Sequence, residues 1–171
     1  MKELRKFVMI PVMIGILAFL IQAIDQWLSP MMQPAGNTGF SWISFQSWAV
    51  YFLAGCSVKG GIKAFLAYAV GIGASILIMI LGGALTPVLA FWAVPVAVGL
   101  IAFAVIFFEK VEWLSLIPAL FIGAGAFFAF MNYVPGATFT NAAITEMVYC
   151  VIGLLFGYVT ITLRVAYEKR R

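Results

Sequence analysis

Apolar stretches close to the length needed to cross a bilayer recur along the whole of this chain, and its cations sit only at or beyond their ends. About 20 consecutive apolar residues make one helical crossing. Six such spans can be marked, at about Phe7–Leu28, Trp42–Ser57, Ile62–Leu85, Val88–Phe108, Trp113–Met131 and Ala142–Leu163. They contain no dyad alternation of the barrel type, so helices are the expected spanning element. Only 9% of the 171 residues are charged against 65% hydrophobic, too few to coat a soluble domain of this length. All of 1–171 therefore reads as one transmembrane domain, an all-α membrane protein. The first run is too long for a signal-peptide core and has no small-x-small cleavage site before Pro30, so it is expected to be a retained helix.

The placement of charge orients the spans. Lys2, Arg5 and Lys6 precede the first; Lys59 and Lys63 join the second to the third; Lys110 joins the fourth to the fifth; Arg164, Lys169, Arg170 and Arg171 follow the sixth. With six crossings every one of these falls on the same face. The opposite loops carry no Lys or Arg. The positive-inside rule puts that face, and both termini, in the cytoplasm. Trp27, Trp42, Trp92 and Tyr133 fall near outer span ends, Trp113 and Tyr167 near inner ones, as an interfacial belt requires. This arrangement also accounts for the basic balance of the chain without nucleic acid as a partner. The lipid bilayer is the partner it implies.

The two halves resemble each other. Pro11-Val12-Met13-Ile14-Gly15-Ile16-Leu17-Ala18-Phe19 aligns with Pro95-Val96-Ala97-Val98-Gly99-Leu100-Ile101-Ala102-Phe103. More weakly, Ala49, Tyr51, Ala54 and Gly55 fall opposite Ala119, Phe121, Ala124 and Gly125. Three spans per half is an odd number, so related halves would be inverted, a 3+3 arrangement common in transporters and channels. The competing explanation is that apolar segments resemble one another by chance. Gly71, Gly73, Gly123, Gly125, Gly153 and Gly157 supply small-residue stripes for close helix packing. Such stripes also leave a homo-oligomeric contact open.

Polar residues mark a pathway hypothesis. No Asp, Glu, Lys or Arg stands at the centre of a span, unlike proton relays and voltage sensors. Asp25 and Glu146 lie towards the outer ends of the first and sixth spans; Glu146 is expected to be a solvated interfacial acid facing a helix N-terminus. Asp25, at the unfavourable end of its helix dipole, is expected to be hydrated, protonated or bound to Gln22, Gln46 or Asn132. The second span is short and interrupted by Gln46, Trp48 and Tyr51, and Pro118 with Gly123 and Gly125 could break the fifth. Paired irregular spans point to a translocation site. Trp48 and Tyr51 are thus expected to face Phe121 and Gly123 across a narrow cavity, with Gln22, Asp25, Gln46 and Glu146 at its outer mouth. Lys59-Gly60-Gly61 reads as a positive-inside turn, since it lacks the spacing of a phosphate-binding loop. Cys56 and Cys150 fall at different depths, so no disulfide is expected. With no histidine, no metal cluster and no paired acid and base, neither cofactor nor enzyme chemistry is indicated.

Ser41-Trp42-x-x-Phe45, Tyr51-Phe52 and Gly60-Gly61-x-Lys63, in that order, resemble small bacterial inner-membrane proteins of domain-of-unknown-function family 1097. The resemblance covers roughly Ser41 to Met131, with 118–129 matching a second Gly-rich segment. It implies a multi-pass protein of the bacterial cytoplasmic membrane and brings no substrate or catalytic residue. Together these features lead to a channel or transporter for a small neutral or cationic solute. A membrane scaffold or accessory subunit is the alternative.

Overall fold

The computed structural model of the protein describes residues 7–169; the terminal charges Lys2, Glu3, Arg5, Lys6, Arg170 and Arg171 lie outside them. One α-helix corresponds to each expected span: α1 (Met9–Leu28), α2 (Ser41–Leu53), α3 (Val58–Leu89), α4 (Ala93–Ile106), α5 (Ile117–Tyr133) and α6 (Phe139–Lys169). Short 3-10 turns at Ala90–Trp92 and Phe107–Lys110 lengthen α4 at both ends. No strand occurs among the described residues. Three helical stretches, Met9–Met31, Val58–Lys110 (which contains the α3–α4 corner) and Phe139–Lys169, are long and apolar enough to cross a membrane, and α5 is a shorter apolar helix. These helices mark the chain as a membrane-embedded protein.

Several boundaries differ from the sequence expectation. Lys59-Gly60-Gly61 is not a turn but the first turn of α3, which Ser57 caps by accepting the Gly60 N–H at 3.0 Å. The turn expected at Thr86-Pro87 lies further on: α3 carries Pro87 and ends at Leu89, where Ala90 has φ 44°. A proline in the last turn forfeits only one backbone bond, and the helix absorbs it. Pro118 does not break α5 either; it occupies the first turn, where a missing N–H is harmless. The fifth span is therefore continuous. The second is short: 13 residues, about 20 Å at 1.5 Å per residue, closed by Gly55 and Cys56 at positive φ.

Packing follows two pairs. α2 lies along α6, and α5 lies along α3; α4 covers α3 on one flank, and α1 covers α6 on the other. Lipid tails are as apolar as leucine, so close backbone approach and hydrogen bonds must carry such pairs. A Cβ on Gly153 would collide with Ser47 Oγ and the Ser44 carbonyl oxygen and lie 2.8 Å from the Trp48 nitrogen. A Cβ on Gly71 would collide with the Leu120 carbonyl oxygen and lie 2.8 Å from the Ala124 nitrogen. Each glycine is thus seated on an oxygen and, four residues on, a nitrogen of the opposing helix.

Contacts tie the loops together at each end. At one end Asn37 Nδ2 donates to the Pro135 carbonyl at 3.0 Å and Thr145 Oγ1 to the Gln33 carbonyl at 3.0 Å, joining the loop after α1 to the turn after α5 and to α6. Phe40 stacks on Phe130 at 5.2 Å beneath them. At the other end Lys59 Nζ meets Glu112 Oε1 at 2.6 Å and lies 5.6 Å above the Trp113 ring.

Candidate functional site

Polar side chains gather on the α2–α6 seam and at the C-terminal end of α1. Serines along α2 face α6 because Ser44, Ser47 and Trp48 share one helical side. Ser44 Oγ donates to the Tyr149 carbonyl at 2.8 Å. Ser47 Oγ turns back to the carbonyls of Ile43 and Ser44, at 3.1 and 3.2 Å. Trp48 Nε1 donates to Thr160 Oγ1 at 3.0 Å, while that hydroxyl donates to the Phe156 carbonyl at 2.7 Å. The Trp48 ring itself packs with Leu17, Ile21 and Phe156. The buried hydroxyls of Ser44, Ser47 and Thr160 are thus satisfied, as the absence of water demands.

Asp25 forms a clasp between α1 and the start of α2. Its carboxylate accepts the Phe40 N–H at 2.9 Å and the Gln22 amide at 3.5 Å, and Gln22 Oε1 accepts from Ser41 Oγ at 2.9 Å. Of the partners expected for Asp25, Gln22 is found; Gln46 and Asn132 are not, being exposed and elsewhere. Asp25 is buried, with Tyr149 and Ser29 beside it.

Glu146 departs most from expectation. It is not a solvated acid: its exposure is 0%, and neither carboxyl oxygen has a hydrogen-bond partner. It lies on the stripe of α6 that carries Cys150, Gly153 and Gly157, all buried against the bundle. Tyr68 of α3, also fully buried with its hydroxyl unpartnered, and Cys150 are within electrostatic reach of the carboxyl.

The expected convergence of the two middle spans does not occur. Trp48 faces α1 and α6, and Tyr51 packs on Gly61 and Gly157. Gly123 rests on the Tyr68 backbone, while Phe121 points outwards with 47% of its surface exposed. Phe121 and Tyr51 occupy different helix pairs, so no aromatic constriction joins them. Of the expected mouth residues, Gln22 and Asp25 meet, Gln46 lies exposed on α2, and Glu146 is sealed in the core. Sequence reasoning missed Tyr68 and Thr160. A usable signal existed for Glu146: it shares the i, i+4, i+7, i+11 stripe of Cys150, Gly153 and Gly157, which a close-packed helix must bury.

The volumes found are grooves at the perimeter. One of about 380 Å³ lies between α1, α2 and α6, lined by Ile10, Met13, Leu17, Phe52, Thr160 and Arg164. Another of about 360 Å³ lies at the loop after α1, beside Asn37, Phe40, Trp42 and Tyr133.

A family model for proteins of unknown function, DUF1097, matches residues 10–163, nearly the full length of the chain. The chain belongs to the DUF1097 family. The match extends well beyond the 41–131 stretch that carries the sequence resemblance, and takes in α1 and most of α6. No curated protein and no solved structure matches the chain. Membership of DUF1097 brings no activity with it, so function must be argued from the geometry.

Proposed function

We propose that this DUF1097 protein is a multi-pass inner-membrane protein of six crossings, built as a 3+3 inverted repeat, that conducts or transports a small neutral or cationic solute. The observation that carries the reading is the correspondence of the halves. Met9 and Ala93, Ser41 and Ile117, and Val58 and Phe139 open helices in the same order in the two halves. The α2–α6 and α5–α3 pairs exchange under this correspondence, as do the α1–α6 and α4–α3 flanks. Gly153 on Ser44 and Trp48 is matched by Gly71 on Leu120 and Ala124. With that register, Gly60, Ala64, Ala67, Tyr68, Gly71, Ile72, Ser75 and Ile78 of α3 fall, at one constant spacing, on Ala142, Glu146, Tyr149, Cys150, Gly153, Leu154, Gly157 and Thr160 of α6, and all are buried.

This register moves the α2–α5 alignment: Trp48, not Ala54, is the counterpart of Ala124. Small residues recur through both helices, so residue identity alone slides by a turn or two. The end contacts support crossing helices, because loops and helix ends assigned to one face touch each other, at both ends of the bundle. Inverted repeats place a solute between the halves near mid-bilayer. The same segregation of charge favours solutes without negative charge: Asp25 lies towards the outer face, which carries no base. A scaffold without transport is the second reading, favoured by the peripheral position of the grooves.

Flux into proteoliposomes decides between them. The transport reading expects uptake of small neutral or cationic solutes above protein-free vesicles, with anions excluded. Equal leakage from both preparations for every solute tested favours the scaffold.

A further inference from the structure

We propose that Glu146 is a proton-binding site, buried between α3 and α6. The carboxyl is fully enclosed and both of its oxygens lack a partner among the described residues. An ionised carboxylate in such a place would cost several kcal/mol, unless a cation or hydrogen-bond donors offset it. None is in place. Lys59 is held by Glu112 at the inner end of the bundle, where Lys63 of α3 also lies beside that carboxyl, and Arg164 by Glu168. α2, α4 and α5 contain no Asp, Glu, Lys or Arg. The ionisable groups near Glu146 are Tyr68 from α3, Cys150 and Tyr149 on its own helix, and Asp25 of α1 beside Tyr149.

This neighbourhood selects the ligand. Hard metal cations need six or more oxygens around them. Glu146 has phenols and one thiol for company, a set suited to a neutral acid that can exchange a single proton. The transfer is a simple one: the carboxylate takes a proton delivered from water to become the neutral acid, and returns it the same way. Position gives the site its consequence. Cys150, one turn from Glu146, is the counterpart of Tyr68 in the correspondence of the halves, so the acid sits beside the axis that relates them. Its counterpart on α3 is Ala64, so only one half carries the acid. If the halves move against each other during transport, protonation removes the one charge trapped between them; that role rests on the transport reading, whereas the binding site does not.

Infrared difference spectroscopy on the full chain in lipid vesicles, with protons as the only ligand varied, tests the site without any solute. Wild type should show a protonated-carboxyl carbonyl band at neutral pH that shifts in deuterated buffer and fades as pH is raised. Glu146→Gln should lack it, and Asp25→Asn should retain it. Should Glu146→Gln fail to fold, Tyr68→Phe, which keeps the ring, should shift the frequency and titration midpoint of the same band. A spectrum with no such band overturns the proposal, as does a band that neither exchanges nor titrates, or one indifferent to Tyr68. Failure here leaves the flux reading standing, and failure of flux leaves the band to be explained by Glu146.

Discussion

The α2–α6 and α3–α5 seams use the same backbone geometry and opposite chemistry. Both seat a glycine on a carbonyl oxygen and a nitrogen four residues apart. The first then fills with Ser44, Ser47, Trp48 and Thr160, all engaged in hydrogen bonds; the second fills with Ala119, Leu120, Ala126 and Phe127, with Ser75 Oγ donating to the Ala124 carbonyl at 3.1 Å as its polar link. In a bilayer, where apolar burial gives no preference for protein over lipid, small residues can determine which helices meet. The polar atoms are then free to differ between the halves. Fold and candidate chemistry thus reside in different residues of the same seams.

The largest expected effect falls on both seams alike. Gly153→Ala and Gly71→Ala each push a methyl into backbone that cannot yield, and each should lose about 1–3 kcal/mol or more, by the usual cost of overpacking. Gly125→Ala, with open space at its Cβ, should lose nothing measurable. Thermal unfolding in detergent reads all three. Strong loss from Gly153→Ala with none from Gly71→Ala would break the equivalence of the seams.

Next is the clasp. Asp25→Ala strands the buried Phe40 N–H and should cost about 1–3 kcal/mol, whereas Asp25→Asn keeps an acceptor and should largely retain stability. On the transport reading Asp25→Asn weakens the preference for cations, a separate readout in vesicles.

Polar differences between the seams are expected to be smaller. Trp48→Phe and Ser44→Ala remove interhelical bonds of the α2–α6 seam, each contributing about 0.6–1.7 kcal/mol by membrane double-mutant cycles. A Trp48→Phe, Thr160→Val cycle isolates the first. Ser75→Ala tests the opposite seam in the same range.

The sequence carried the number and order of helices, since apolar run length and the placement of Lys and Arg report directly on the bilayer. It carried the glycine stripes too, through spacing alone. Side-chain direction was less legible. Trp48, Tyr51 and Phe121 are aromatic wherever they point, and only packing sends Trp48 towards α1, Tyr51 towards α6 and Phe121 outwards. The polarity of Glu146 suggested the surface, while its stripe put it inside; a packed helix face outweighs the preference of one side chain. Pro118 and Pro87 misled for the opposite reason, because helix ends absorb a proline that a helix centre would not.

The smallest effect lies outside the seams. The Lys59 ammonium, hydrogen-bonded to Glu112, holds that carboxyl below the ordinary carboxylate range. A lowered folded-state value means the link is intact above the unfolded value and is lost as pH falls through the folded one. The slight stability difference between wild type and Glu112→Gln should therefore vanish in acid. It should also shrink in high salt, since both groups are exposed.

The claim beneath all of this is that successive helices cross the membrane, with the halves inverted. Cysteine labelling in a Cys56→Ser, Cys150→Ser background measures it directly, with Ala35→Cys in the loop after α1 and Lys110→Cys in the loop after α4, both exposed positions. A membrane-impermeant maleimide applied to intact cells should label Ala35→Cys at once and Lys110→Cys only after the membrane is opened. Labelling of both positions from the same side of an intact membrane would contradict six crossings and, with them, the inverted repeat.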